Sequence, residues 1–153
     1  MPGYKGHLVG GVAAFGFGLY ALQSSYNPTH LTMAEWFLCA LAGALFPDID
    51  VKSKGQNLFY KAMLIVLAVL FMQGYVHIAL MIGILSLIPM VVRHRGLFHK
   101  LWFVVAMPYA VALCIGVYYP AYSRILLLDT TFFVVGAVSH LWLDMGFRRM
   151  LRA

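Results

Sequence analysis

Apolar residues run along this chain in six long segments with short polar connections between them. The segments cover roughly residues 7–22, 32–46, 58–73, 75–92, 100–119 and 125–146. A helix needs about 20 apolar residues to cross a bilayer, so the first three are short unless flanking residues extend them or the bilayer thins. The stretch 58–92 is too long for one span, which predicts a tight hairpin at "MQGY". The pattern predicts an all-α integral membrane bundle of about six transmembrane helices.

The composition favours the same class of protein. Of 153 residues, 63% are hydrophobic and 10% are charged, whereas soluble domains have about 25% charged residues. We expect a single membrane-embedded domain over residues 1–153. The net charge of +6 would suggest nucleic acid in a soluble chain, but Lys and Arg also collect in the cytoplasmic loops of membrane proteins. We therefore expect membrane lipids as partners and no nucleic acid, and the sequence favours no particular oligomeric state.

The positive charges fall on one side of a six-helix arrangement. Of the 11 Lys and Arg residues, all except Arg124 lie before segment one, after segment six, in the even-numbered connections or just within a segment next to such a connection. The positive-inside rule places that side in the cytoplasm, so both termini are predicted to be cytoplasmic. The expected localisation is the inner (cytoplasmic) membrane, as a multi-pass protein.

The same arrangement brings seven His and Asp residues to the cytoplasmic ends of different segments. They are His7, Asp48, Asp50, His94, His99, His140 and Asp144. Ionisable residues at membrane spans are costly to insert and usually functional. Histidine with carboxylate suits catalytic zinc, manganese or iron sites better than a structural cysteine site. We expect one or two divalent ions, with zinc first and manganese or iron as alternatives.

Spacing within two motifs refines this expectation. In "SHLWLD", His140 and Asp144 are four residues apart and share one face of a helix. They could bind one metal together, or Asp144 could orient His140. In "FPDID", Pro47 predicts an extended loop that turns Asp48 and Asp50 to the same side. A solvated turn after the helix is the alternative for those two carboxylates.

A third motif, "HRGLFHK", holds both remaining histidines. His94 and His99 are five residues apart, so a continuous helix would separate them around its axis. Gly96 offers a break that would turn both inward. Between them, Arg95 could bind a phosphate or carboxylate with two hydrogen bonds. The alternative is that Arg95 is a topology charge that contacts lipid headgroups.

Four stretches, in order along the whole chain, resemble a known family. They are "GHLVGG", "LFPDIDVKS", "HRGLFHK" and "SHLWLD". The sequence is similar to the YdjM type of inner-membrane metal-dependent hydrolases, a family distantly similar to zinc-dependent phospholipases C and P1-type nucleases. The resemblance implies hydrolase chemistry and metal binding by the seven His and Asp residues. Where this family often has hydroxyl residues around the second histidine of the third motif, the chain has Phe98 and Lys100.

The leading hypothesis is a membrane-bound metal-dependent hydrolase that acts on a phosphoester of a lipid or lipid-linked substrate at the cytoplasmic face. A divalent ion lowers the pKa of bound water and polarises a phosphoryl oxygen. The catalytic candidates are His140, Asp144 and Arg95, with Arg95 steadying the phosphoryl oxygens. One alternative is a metal-ion transporter, although transport sites lie near the midplane of the membrane. The other is a metal-stabilised structural protein without turnover.

Overall fold

The computed structural model describes residues 3–50, 52–87 and 97–151, and these residues form helices and turns without any strand. Within them lie seven α-helices: α1 (Tyr4–Tyr26), α2 (His30–Leu45), α3 (Lys54–Met72), α4 (Val76–Ser86), α5 (Leu101–Tyr118), α6 (Ser123–Met145) and α7 (Phe147–Met150). Short 3-10 turns occupy Phe46–Asp50, Leu97–His99 and Pro120–Tyr122. The predicted all-α membrane bundle is confirmed.

Five helical segments in the described part of the chain are long and apolar enough to cross a membrane. The first three have 23, 21 and 19 residues, so flanking residues do extend the short apolar segments. The fourth predicted segment forms α4 over 11 residues, and its continuation over 88–92 lies outside the described residues. The count of six spans and their orientation stay predictions.

The hairpin predicted at "MQGY" is confirmed. Helix α3 ends at Met72 and α4 begins at Val76, and the two helices pack against each other. Gly74 between them has a φ of 81°. This left-handed conformation is open to glycine because it has no Cβ. The hairpin lies beside the other helices, and the apolar side chains of Leu64 and Ile65 on α3 are exposed, as suits a surface that faces lipid.

Helix α6 is the centre of the bundle and packs against α1, α2 and α5. Its crossing with α2 is the tightest of these contacts. A Cβ added at Gly136 would strike the carbonyl of Ala40, and one added at Gly43 would strike the carbonyl of Phe133. Small residues let membrane helices approach this closely. The crossing therefore holds the carboxyl-terminal half of α6 against the end of α2.

The extended loop predicted at "FPDID" is wrong. Residues Phe46–Asp50 form a 3-10 turn that continues directly from α2, and Phe46 has helical angles of φ −60° and ψ −43°. Pro47 does not end the helical path, because a residue without an N–H fits the first turn of a new helical segment. With three residues per turn, Asp48 and Asp50 leave the backbone in different directions. They do not share one side as the loop prediction required.

Side chains from the start of α3 satisfy the carbonyls at the end of this turn. Ser53 Oγ donates to the carbonyl oxygen of Asp48 at 2.9 Å, and Gln56 Nε2 donates to the carbonyl oxygen of Ile49 at 3.0 Å. Ser53 Oγ also accepts from the backbone N–H of Gln56 at 3.0 Å, which caps α3. The first turn of α3 is thereby tied to Asp48.

Candidate metal centre

Two imidazoles and two carboxylates from three separate elements face one another at one end of the bundle. They are Asp48 in the turn after α2, His99 in the turn before α5, and His140 and Asp144 on α6. One ligand atom from each lies within 4.8 Å of the others. We call these four residues the donor cluster.

The separations within the donor cluster fit ligands that share an ion. His140 Nε2 lies 3.5 Å from Asp48 Oδ1 and 3.8 Å from Asp144 Oδ2. His99 Nε2 lies 3.8 Å from Asp48 Oδ1 and 4.0 Å from Asp144 Oδ2. These distances exceed those of good hydrogen bonds. Two ligands that are each about 2.1 Å from a tetrahedral ion lie about 3.4 Å apart, close to the shorter separations here.

A backbone contact sets which nitrogen of His140 faces the cluster. Its Nδ1 lies 2.7 Å from the carbonyl oxygen of Ala44. A carbonyl only accepts, so Nδ1 carries a proton and donates, and Nε2 is the nitrogen that faces the cluster. Nε2 is buried and makes no hydrogen bond to any described residue. A metal ion between Nε2 and the two carboxylates would satisfy all three groups, and metal-binding histidines commonly donate their other N–H to a carbonyl.

Asp144 connects the donor cluster to His7 on α1. The spacing of four residues puts Asp144 beside His140, as predicted, with Oδ2 facing the cluster. Its other oxygen, Oδ1, lies 3.4 Å from His7 Nε2. The His7 ring also stacks on His140, with centroids 3.7 Å apart and an angle of 17° between the planes. His7 Nε2 can therefore donate a hydrogen bond to Asp144 Oδ1, or these two atoms can bind a second ion together.

His99 enters the cluster from a short turn that aromatic contacts anchor. The neighbouring Phe98 is buried and meets Phe46 edge-on, with ring centroids 5.4 Å apart. Burial lowers the pKa of His99 below its ordinary value. The imidazole is therefore held in its neutral form, which is the form that binds metals.

Of the four side chains in the donor cluster, that of Asp48 is the most exposed. The side chain of Asp48 is 24% exposed, whereas those of Asp144, His99 and His140 are 3%, 4% and 0% exposed. Solvent or a ligand therefore reaches the cluster past Asp48.

The structure describes six of the seven predicted His and Asp ligands and brings all six to one end of the bundle. Four form the donor cluster, and His7 meets it at Asp144. Asp50 lies outside the four-residue group, although both of its carboxylate oxygens are buried. His94 and Arg95, with the break predicted at Gly96, lie outside the described residues. Metal binding and the catalytic roles stay predictions.

Two features of the centre carry no signal in the sequence. The Ala44 carbonyl that orients His140 is a backbone group from 96 residues away, and only helix packing brings it there. A contact between Lys54 and Tyr4, at the starts of α3 and α1, joins residues 50 apart, and neither residue belongs to a His or Asp motif.

The fold and the donor cluster define a helical membrane protein with a candidate metal centre at one end of its spans. The chain belongs to the YdjM inner membrane protein family, whose family model matches residues 1–149. The family resemblance of the four motifs is thereby confirmed. No curated protein and no solved structure matches the chain. The looser similarity to phospholipases C and P1-type nucleases stays a prediction.

Proposed function

We propose that the protein is a metal-dependent hydrolase that cleaves a phosphoester of a lipid or lipid-linked substrate at the cytoplasmic face of the inner membrane. The observation that carries this proposal is the donor cluster, in which four ligand atoms from three elements lie within 4.8 Å. Zinc suits two imidazoles and two carboxylates. A divalent ion bound there supplies a Lewis acid and an activated water for hydrolysis.

The residues of the centre divide into distinct roles under this proposal. His140 is held by the Ala44 carbonyl so that Nε2 is the ligand atom. Asp144 is buried and anchors the ion from inside, whereas the partly exposed Asp48 lies where substrate enters. Arg95 steadies the phosphoryl oxygens, a role that rests on the sequence alone.

The position of the cluster along the helices favours a lipid phosphoester. His7 lies in the first turn of α1, Asp48 follows the end of α2, His99 precedes α5, and Asp144 lies in the last turn of α6. These four residues are all at helix ends, which supports a position of the centre at headgroup depth in one leaflet. The positive-inside rule makes that leaflet the cytoplasmic one. A transport site is expected nearer the midplane, which disfavours a metal-ion transporter.

Turnover by purified protein tests the proposal. Protein in detergent, either zinc-loaded or treated with chelator, is assayed against a panel of phospholipids and prenyl phosphates. We expect phosphoester cleavage only by the metal-loaded protein, and its loss in His140→Ala and Asp48→Asn. The control is His30→Ala, because His30 is exposed at the opposite end of α2 and its loss leaves the cluster intact.

Two other outcomes would assign a different function. If loaded protein cleaves none of the panel and the cluster variants lose only thermal stability, the centre is structural. If instead proteoliposomes take up zinc and His140→Ala stops that uptake, the protein is a transporter. Either result would remove the hydrolase proposal.

A further inference from the structure

A lysine and a tyrosine join the first turn of α3 to the first turn of α1. Lys54 Nζ donates to the Tyr4 hydroxyl at 3.2 Å and lies 4.4 Å from the centroid of the Tyr4 ring. Among the described residues, no carboxylate forms an ion pair with Lys54. A neutral partner thus fixes the ammonium group through a hydrogen bond and a cation–π contact. Its positive charge stays available to an anion.

Both members of this pair are near neighbours in sequence of residues that contact the donor cluster. Tyr4 is three residues before His7, which is one turn away on the same face of α1. Lys54 directly follows Ser53, whose hydroxyl is bonded to the backbone of Asp48. Asp48 is the exposed member of the cluster, with 24% of its side chain accessible. These links put Lys54 beside the turn that carries Asp48, at the rim past which a ligand would enter.

The charges of the centre give Lys54 a specific task. The two carboxylates of the donor cluster neutralise a divalent ion, so the occupied centre has little net charge with which to attract an anion. Lys54 adds one positive charge at the rim, and it is the first residue of a 19-residue helix whose amino end also favours anions. A phosphate group matches this arrangement, because one part can reach the ion while another accepts from the ammonium.

We propose that Lys54, positioned by Tyr4, binds the phosphate group of the ligand at the mouth of the metal centre. The inference rests on the proposed function and makes a phosphate-bearing ligand the class that the site selects. A lipid headgroup and free phosphate share this chemistry.

Binding measurements on metal-loaded protein in detergent test the role of Lys54. One arm titrates inorganic phosphate by calorimetry, and the other titrates dodecyl phosphate in mixed micelles. We expect Lys54→Met to weaken binding about tenfold, the size of one charge-assisted hydrogen bond, with metal content unchanged. Lys54→Arg should recover most of the affinity, and Tyr4→Phe should cost about threefold. The matched control is Lys61→Met, an exposed lysine two turns further along α3.

Each result of this experiment has a defined meaning. Weaker phosphate binding by Lys54→Met in either arm supports the inference. If only the affinity for dodecyl phosphate falls, the phosphate group that the site binds belongs to a lipid headgroup. Wild-type affinity of Lys54→Met in both arms overturns it, as does a wild-type protein that binds neither phosphate. Lys54-dependent binding without any turnover would remove only the hydrolase proposal. If Lys54→Met cleaves the substrate as fast as the wild type does, only this inference is removed.

Discussion

His140 on α6 and Ala44 near the end of α2 are 96 residues apart in sequence and are joined by a hydrogen bond of 2.7 Å. The bond forms beside the crossing where Gly43 and Gly136 bring the two backbones together. Because the carbonyl can only accept, the bond fixes a proton on Nδ1 and turns Nε2 toward two carboxylates. Helix packing therefore determines which nitrogen of this histidine faces the cluster.

The first prediction concerns metal content. We expect purified protein to retain at least one divalent ion per chain after dialysis, because the donor cluster offers four ligand atoms within 4.8 Å. His140→Ala should lose most of it, since the substitution removes a buried ligand. The measurement is elemental analysis by mass spectrometry, with His30→Ala as the control. Equal metal content in the wild type and His140→Ala would rule out the donor cluster as the binding site.

The second prediction separates Asp48 from Asp50. Asp48 Oδ1 lies within 3.8 Å of both cluster imidazoles, so Asp48→Asn should abolish tight metal binding. Asp50 lies outside the four-residue group. Asp50→Asn should weaken affinity by about 10- to 100-fold, as is typical when an outer partner of a ligand is lost. Competition with a zinc-binding dye measures both affinities, and the reverse order of effects would contradict the arrangement of this turn.

The sequence predicts much of the architecture because its strongest signals are local or depend on the membrane. Long apolar segments are sufficient to locate the five helical segments that could cross a membrane, and the spacing of four residues is sufficient to pair His140 with Asp144. The grouping of the remaining ligands follows from topology, since charge asymmetry assigns the ends of the segments to one side. These inferences need no knowledge of how the helices cross.

The remaining features depend on tertiary packing. The side chains of Ser53 and Gln56 stabilise the 3-10 turn at Phe46–Asp50 by donating hydrogen bonds to its carbonyls. The prediction of an extended loop used only the conformational preference of the residue before proline, which takes no account of such tertiary partners. The different directions of Asp48 and Asp50 follow from that turn. The Lys54 and Tyr4 contact likewise depends on where α3 begins relative to α1.

The third prediction concerns topology. In a chain with Cys39 and Cys114 replaced by alanine, single cysteines at Lys54 and Asn27 should react on opposite sides of the membrane. We expect Asn27→Cys to react with an impermeant thiol reagent added outside spheroplasts, and Lys54→Cys to react only after lysis. Labelling of Lys54→Cys from outside would show that the orientation is the opposite one, with the metal centre on the outer face.

The fourth prediction tests whether the crossing of α2 and α6 maintains the metal centre. A Cβ at Gly136 would strike the carbonyl of Ala40, which is backbone and cannot rotate away, so Gly136→Ala must push the helices apart. We expect the free energy of unfolding to fall by about 1–3 kcal/mol, as for other overpacked sites, measured by circular dichroism during SDS titration. Metal affinity should fall as well, because the same shift lengthens the bond from His140 to Ala44. Gly16→Ala is the matched control, since nothing lies within 4 Å of its added Cβ. If Gly136→Ala lowers stability yet binds metal as tightly as the wild type, the cluster does not depend on this crossing, and the Ala44 carbonyl is not what orients His140.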